Sequence, residues 1–224
     1  MFRAPVKSSR VFLLSPANCS GLRCQMVLRD GAKFPLALAV QSAAGAPLGE
    51  VFRFTSGLYF RGKWAYAMSF AAPPKGVPGS LVITPGRGLV PPETYVTAND
   101  LRAFAKVDVD EDNPKFRKPL LEDAKKLASK LGPRGEVVLL GSIATGKYTR
   151  VLTEVFGERL LFPESFVGRG DMSRGGLLLR SVREKTELTY APVLGATVKG
   201  TRPPKLPPLR GIIRETAAVF ARRR

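Results

Sequence analysis

The sequence contains no histidine among its 224 residues. This absence excludes Ser-His-Asp and Cys-His catalysis, zinc ligation by imidazole and a histidine general base. Acid–base chemistry must therefore use Asp, Glu, Lys, Tyr or Cys side chains. The two cysteines, Cys19 and Cys24, are too few for a zinc site built from cysteine alone. We expect no metal site, no cofactor and two free thiols, although a disulfide between the two would close a short loop.

Long uncharged apolar runs are also missing. No stretch is long enough to span a membrane, and the first residues, Met1-Phe2-Arg3-Ala4, do not lead into a signal peptide. The sequence therefore predicts a soluble, cytoplasmic protein. The hydrophobic fraction of 44% is ordinary for a globular chain, so we expect a sizeable folded core.

Acidic residues are scarce relative to basic ones. The chain has 18 Asp and Glu against 36 Lys and Arg, which gives a net charge of +18. Such an excess favours a polyanionic partner, and nucleic acid is the first candidate. An acidic membrane surface is a second candidate, and adaptation to high salt or heat is an explanation that needs no partner.

Short apolar runs alternate with segments of helical periodicity along most of the chain. The predicted buried strands are residues 11–14, 81–83, 136–140 and 160–162, and residues 186–193 are a predicted edge strand. The predicted helices are residues 20–28, 97–105, 114–131 and 148–156. Thr97 is the predicted N-cap of the second helix, with Asp100 three residues further on. This order predicts an α/β fold, a single compact domain over residues 1–200 with a mixed, largely parallel central sheet flanked by helices. Residues 201–224 are predicted to form a Pro-rich linker and a basic C-terminal helix.

The densest aromatic segment, residues 52–70, carries basic residues between its rings. This mixture permits base stacking, but core packing is favoured because so many aromatic side chains are rarely exposed together. The residues that we expect to contact nucleic acid lie in this segment and in the C-terminal tail: Arg61, Lys63, Arg210, Arg214, Arg222, Arg223 and Arg224.

The segment Gly141-Ser142-Ile143-Ala144-Thr145-Gly146-Lys147-Tyr148 nearly fits a Walker A loop between a strand and a helix. Tyr148 stands where that loop needs a Ser or Thr for magnesium, so we do not expect NTP hydrolysis. Two interpretations remain open. The loop binds a phosphate or carboxylate with Lys147 and backbone amides, or it is a tight turn.

A compact group of mixed charge follows the fourth predicted strand. It consists of Glu164, Arg169, Asp171 and Arg174. If this group is a binding site, its arginines bind an anion, and one of its carboxylates accepts a proton or binds the edge of a base. As a structural feature, the same residues form an ion-pair network.

Several of these segments resemble, in order, motifs of the YaaA family of peroxide-stress proteins. Leu14-Ser15-Pro16-Ala17 is similar to L-I-S-P-A-K, and Arg169-Gly170-Asp171-Met172-Ser173-Arg174 resembles R-G-x-M-S-R. Further similar segments are Gly49-Glu50-Val51-Phe52, Gly88-Leu89-Val90-Pro91-Pro92 with Tyr95, and Ala144-Thr145-Gly146-Lys147-Tyr148. The middle segments are also similar to domains associated with deazaguanine modification of DNA or RNA.

The resemblance implies one compact α/β domain and DNA binding linked to oxidative stress, with DNA favoured over RNA. The alternative is an enzyme of the glycosylase or base-exchange type that acts on a nucleobase or nucleotide at the strand ends. Its candidate catalytic residues are Glu164 and Asp171. Its candidate ligand-binding residues are Ser15, Asn18, Arg87, Thr145, Lys147, Tyr148, Arg169, Ser173 and Arg174.

Overall fold

The computed structural model describes residues 8–198 and 200–206, and within these residues a six-stranded sheet forms the centre of the fold. Its strands are β1 (Arg10–Leu14), β3 (Ser80–Thr84), β4 (Gly88–Val90), β6 (Glu136–Leu140), β7 (Leu160–Pro163) and β8 (Tyr190–Pro192). Two further short strands, β2 (Ala46–Pro47) and β5 (Tyr95–Val96), pair with each other. The helices are α1 (Leu22–Leu28), α2 (Pro35–Gln41), α3 (Leu48–Ser56), α4 (Leu58–Phe70), α5 (Ala98–Ala105), α6 (Pro114–Leu131), α7 (Thr149–Phe156) and α8 (Asp171–Glu184).

The strand order in the sheet is β4-β3-β1-β6-β7-β8. The four central strands are parallel, and β4 and β8 are antiparallel edge strands. This arrangement confirms the predicted α/β class and the mixed, largely parallel sheet. The predicted edge strand at residues 186–193 is also confirmed, with the shorter bounds of β8.

Both faces of the sheet are covered, as the continuous apolar strands require. Along β1, Phe12 and Leu14 pack with helices α1 to α4 and α8. The alternate residues Val11 and Leu13 pack with α6 and α7 on the other face. The side-chain alternation of a strand therefore divides the core into two layers.

The aromatic segment folds into two helices, because Gly57 (φ +59°) separates α3 from α4. Its large rings, including Phe52, Phe60 and Tyr66, are buried in the core. Core packing is thus the role of this segment, as the sequence favoured. Gly62 lies inside α4, and a Cβ there would lie 2.7 Å from the carbonyl oxygen of Gly175 on α8.

The four predicted helices correspond to α1, α5, α6 and α7, which begin and end within two residues of the predicted bounds. At α5, the Thr97 backbone N–H donates to the Asp100 carboxylate at 2.7 Å, as expected of the predicted N-cap. Of the residues 169–174, Asp171 to Arg174 form the first turn of α8, and Gly170 is its N-cap. Among the described residues, none of the helices has the length and apolar character needed to cross a membrane.

Candidate functional site

The chain reverses its direction across the sheet between β1 and β6. From β1 it crosses to β3 on one side, and it later returns to β6 on the other side of β1. At such a switch point, the loops that follow the two neighbouring strands diverge and leave a crevice at the carboxyl ends of the strands. This is where open α/β sheets bind ligands.

A cleft of about 590 Å³ lies at this switch point. The loop after β1 and the loop after β6 both line it, and the ends of α3, α4 and α8 complete it. Its lining residues are Ser15, Pro16, Ala17, Asn18, Thr55, Ser56, Tyr59, Val109, Ser142, Lys147, Tyr148 and Asp171. Five residues that the sequence proposed for the site, Ser15, Asn18, Lys147, Tyr148 and Asp171, thus meet in one cleft.

Ser15 is held from behind by Lys63. Lys63 Nζ donates to the Ser15 carbonyl oxygen at 2.7 Å, and it lies within hydrogen-bond distance of Ser15 Oγ, at 2.8 Å. Lys63 is 1% exposed, so it cannot contact a nucleic acid. Its predicted place on a nucleic-acid-binding surface is therefore wrong, because α4 turns this side chain toward the end of β1.

Tyr148 closes the other side of the cleft. Its buried hydroxyl accepts a hydrogen bond from the Ser142 backbone N–H at 3.1 Å. Burial raises the pKa of the phenol, while the Ser142 N–H and the Ser15 side chain act in the opposite direction. In a Walker A loop, backbone N–H groups such as that of Ser142 donate to phosphate. Here the Ser142 N–H donates to the Tyr148 hydroxyl instead.

Glycine at position 141 permits this close packing. A Cβ at Gly141 would lie 2.8 Å from the Tyr148 hydroxyl and 2.9 Å from Ser15 Cβ, closer than side chains normally approach. Any larger residue would push apart the two loops that form the cleft. The glycine that resembled the start of a P-loop serves this contact.

The two arginines of the predicted anion site have separate roles. Arg174 is 9% exposed, and its Nε and Nη2 donate to the Phe166 carbonyl oxygen at 3.3 and 3.2 Å. Its guanidinium also lies 5.4 Å from the centre of the Phe166 ring and 3.7 Å from the Asp171 carboxylate. Arg174 ties the β7–α8 connection to the helix, so the expectation that it binds a ligand anion is corrected.

Arg169 lines a second cavity, of about 350 Å³, on the other side of the start of α8. It donates to the Ser165 carbonyl oxygen at 3.0 Å and to Ser173 Oγ at 3.1 Å. The other basic residues of this cavity are Arg180, Arg202 and Lys205, and no acidic residue lines it among the described residues. We name it the basic cavity.

The cleft and the basic cavity are close neighbours. Leu58 lines the basic cavity and Tyr59 lines the cleft; likewise, Met172 lines the basic cavity and Asp171 the cleft. Only the first turns of α4 and α8 therefore separate the two spaces. Asp171 is 69% exposed, so its carboxylate is available to a ligand in the cleft.

Three predicted site residues lie outside both cavities. Arg87 forms an ion pair with Asp100 and lies 5.5 Å from the Phe104 ring centre. Glu164 is exposed in a short 3-10 turn after β7, so the structure does not support a catalytic role for it in the cleft. Thr145 is exposed in the loop before α7.

The remaining predicted contacts are placed as follows. Arg61 is half-buried on α4, and burial, followed by repulsion from Arg53 and Arg23, lowers its pKa. Ser173 accepts the hydrogen bond from Arg169 in the basic cavity. Arg210, Arg214, Arg222, Arg223 and Arg224 lie outside the described residues. Cys19 and Cys24 are free and buried.

Sequence reasoning missed Tyr59 as a residue of the cleft and Lys63 as the partner of Ser15. Their spacing was a usable signal. Tyr59 and Lys63 are four residues apart, so on a helix they share one face, and the aromatic residues around them are buried. A lysine within such an apolar face needs a buried acceptor.

No protein-family model, curated protein or solved structure matches this chain. A function must therefore be inferred from the geometry of the cleft and the basic cavity.

Proposed function

We propose that this protein binds nucleic acid with one base of a strand in the cleft and with phosphates of that strand in contact with the basic cavity. The observation that carries this proposal is the adjacency of two unlike spaces. One is lined by hydroxyl, phenol, amide and carboxylate groups together with one lysine, Lys147, and the other by four cationic side chains. A nucleotide combines the same two chemistries, a polar base and an anionic phosphate.

The cleft suits one base in size and in polar groups. Its volume of about 590 Å³ lies within the usual range for small-ligand sites. Asp171 is an acceptor for an exocyclic amine, and the Asn18 amide offers both donor and acceptor atoms. Asn18 Oδ1 already accepts from the Ser20 backbone N–H at 2.9 Å, which holds the side chain in the loop after β1.

The basic cavity suits phosphate. Arg202 and Lys205 are exposed, and Arg169 is held in place by its two hydrogen bonds. Guanidinium groups bind phosphate oxygens with paired hydrogen bonds. The excess of 36 basic over 18 acidic residues in the whole chain adds a sequence-independent attraction for a polyanion. DNA rather than RNA, and a link to oxidative stress, follow from the YaaA resemblance as part of the proposal.

The position of Asp171 favours a second candidate, an enzyme that acts on the bound nucleobase or nucleotide. The exposed carboxylate lines the cleft, where it can accept a proton or stabilise positive charge on a sugar. Product analysis on modified and unmodified DNA and RNA tests this candidate. Turnover that Asp171→Asn lowers at least tenfold supports it, whereas turnover unchanged in this variant would reject the role of Asp171.

Equilibrium binding of a fluorescent single-stranded oligonucleotide tests the first candidate. We expect wild-type affinity to fall steeply with salt, with a slope of roughly −0.7 per phosphate contacted. The variant with Arg169→Gln, Arg202→Gln and Lys205→Gln should reduce this slope by about 2. The matched control replaces Lys118, Lys125 and Lys130 with Gln, since these exposed lysines lie on α6, across the sheet from α8. Equal slopes in the two triple variants would refute the phosphate contacts.

A further inference from the structure

The Lys63 amine lies 2.8 Å from Ser15 Oγ, a hydroxyl that lines the cleft. We propose that Ser15 is a nucleophile toward the phosphorus of a phosphodiester next to the base in the cleft, while other phosphates of the same strand contact the basic cavity, and that Lys63 accepts its proton. The class of substrate rests on the proposed function, whereas the nucleophile and its base rest on the geometry of Ser15 and Lys63.

The contact between the two side chains has the geometry of an activated nucleophile. Lys63 Nζ lies 2.8 Å from Ser15 Oγ, within hydrogen-bond reach of the proton it would remove. The second contact, from Nζ to the Ser15 carbonyl oxygen at 2.7 Å, fixes the amine in place. A neutral amine satisfies both contacts, because it donates one N–H to the carbonyl oxygen and accepts the hydroxyl proton on its lone pair.

The surroundings of Lys63 favour the neutral amine. Burial lowers its pKa to about 7, with Asp171 acting to raise it and Arg174 to lower it. The rings of Tyr59 and Phe60, with centres 4.5 and 5.1 Å from Nζ, act against burial, because the face of an aromatic ring attracts the charged ammonium. A base whose pKa lies near the working pH is the most effective proton acceptor.

Tyr148 and Lys147 flank the nucleophile. The Tyr148 hydroxyl accepts a hydrogen bond from the Ser142 N–H, and the Ser15 side chain acts to lower the pKa of the phenol. Lys147 is exposed and lines the same cleft, where its charge can stabilise the phosphoryl oxygens as negative charge develops on them.

The reaction step balances with solvent water as the only further participant. Ser15 Oγ forms a bond to phosphorus, and the bond from phosphorus to one sugar oxygen breaks. The Ser15 proton passes to Lys63 Nζ, which holds it as the ammonium. The sugar oxygen departs on the opposite side of phosphorus, where solvent water in the cleft donates the proton with which it leaves as a hydroxyl group. The product is a phosphodiester between Ser15 and the remaining strand, and water or a sugar hydroxyl can release it by the reverse sequence of proton transfers.

A purely structural lysine would make the same two hydrogen bonds, so the test must measure reactivity. The probe is an alkyl fluorophosphonate, which forms an O–P bond with an activated serine and loses fluoride. We expect intact-mass analysis to show one adduct, peptide mapping to assign it to Ser15, and the labelling rate to rise from about pH 6 to about pH 8 as Lys63 loses its proton. Adduct on Ser142, which lines the same cleft, or no adduct at all, would overturn the proposal.

Two variants of Lys63 distinguish its role as proton acceptor from its contribution to packing. Lys63→Arg keeps a charged donor to the Ser15 carbonyl but supplies no base, so we expect the labelling rate to fall roughly 100-fold or more. Lys63→Met should show the same loss, and Lys33→Met, at an exposed site, should label like wild type. Labelling that persists in folded Lys63→Arg, as judged by circular dichroism, would overturn the role of Lys63.

A second measurement tests whether the substrate is a phosphodiester, independently of whether Lys63 activates Ser15. Thymidine 5′-(4-nitrophenyl) phosphate releases a coloured phenol when Ser15 attacks phosphorus, and wild type but not Ser15→Ala should release it. If the fluorophosphonate labels Ser15 in a Lys63-dependent manner but this ester is not cleaved, the phosphodiester class is overturned. Binding of the unreactive oligonucleotide tests the proposed function separately, since it does not need Ser15 Oγ.

Discussion

Lys63 Nζ lies 2.8 Å from Ser15 Oγ, although the two residues are 48 positions apart in the chain. The contact connects α4, which packs on the sheet, to the end of the first strand. It places a buried amine directly behind the wall of a ligand-sized cleft. The core and the candidate site therefore share one titratable group, whose state is measurable through stability as well as through reactivity.

The buried amine should make stability depend on pH. The pKa of Lys63 is lowered from 10.5 to about 7, so between these values the unfolded chain binds more protons than the folded chain. The free energy of unfolding of wild type, relative to Lys63→Met, should thus rise by about 2 kcal/mol from pH 7 to pH 9. Urea denaturation at several pH values measures this difference. A difference that is constant or falls with pH would show that the amine is not held neutral in the fold.

Replacing Gly141 should damage the cleft. In Gly141→Ala the new Cβ meets the Tyr148 hydroxyl and Ser15 Cβ below 3.0 Å, so the two loops must separate. We expect a loss of about 1–3 kcal/mol in the free energy of unfolding and weaker oligonucleotide binding. Gly21→Ala is the control, because its Cβ would meet its nearest neighbour, the Asn18 side chain, at an ordinary 3.5 Å. A folded Gly141→Ala protein with unchanged binding would mean that the cleft does not hold the ligand.

Arg174 and Arg169 should respond differently to mutation. Arg174→Met removes both donors to the Phe166 carbonyl oxygen inside the protein, which should cost about 1–3 kcal/mol in the free energy of unfolding. Arg169→Gln removes a partly exposed group of the basic cavity, so it should weaken oligonucleotide binding and change stability by less than about 1 kcal/mol. Thermal unfolding and binding assays on both variants measure this contrast. Equal losses of stability in the two variants would contradict the separate roles.

The sequence predicted the fold better than the site. Apolar runs and helix signals are local, and they predicted five of the six strands of the sheet, all but β4, and the N-cap at Thr97. The switch point then brought Ser15 and Tyr148 together, because the ends of neighbouring parallel strands share one edge. The burial of Lys63 depends on how α4 packs against β1, which is a long-range contact. Sequence charge alone therefore placed this lysine on the surface.

Local sequence signals also could not predict where Arg169 and Arg174 lie. Two arginines five residues apart were predicted to share one anion, but Asp171 begins a helix that directs Arg174 inward and leaves Arg169 in the basic cavity. Where α8 starts determines which arginine is buried, and this depends on the packing of α8 against α4 through Gly62 and Gly175.

Comparing a normal strand with one that lacks bases tests the central claim most directly. The measurement is the affinity of wild-type protein for a short single-stranded oligonucleotide and for the same strand with abasic sugars, at one salt concentration. Both strands carry the same phosphates, so the basic cavity binds them equally. If a base occupies the cleft, the normal strand should bind about tenfold or more tightly, and Ser56→Phe, which fills the cleft, should remove the difference. Equal affinities of wild type for the two strands would contradict the account.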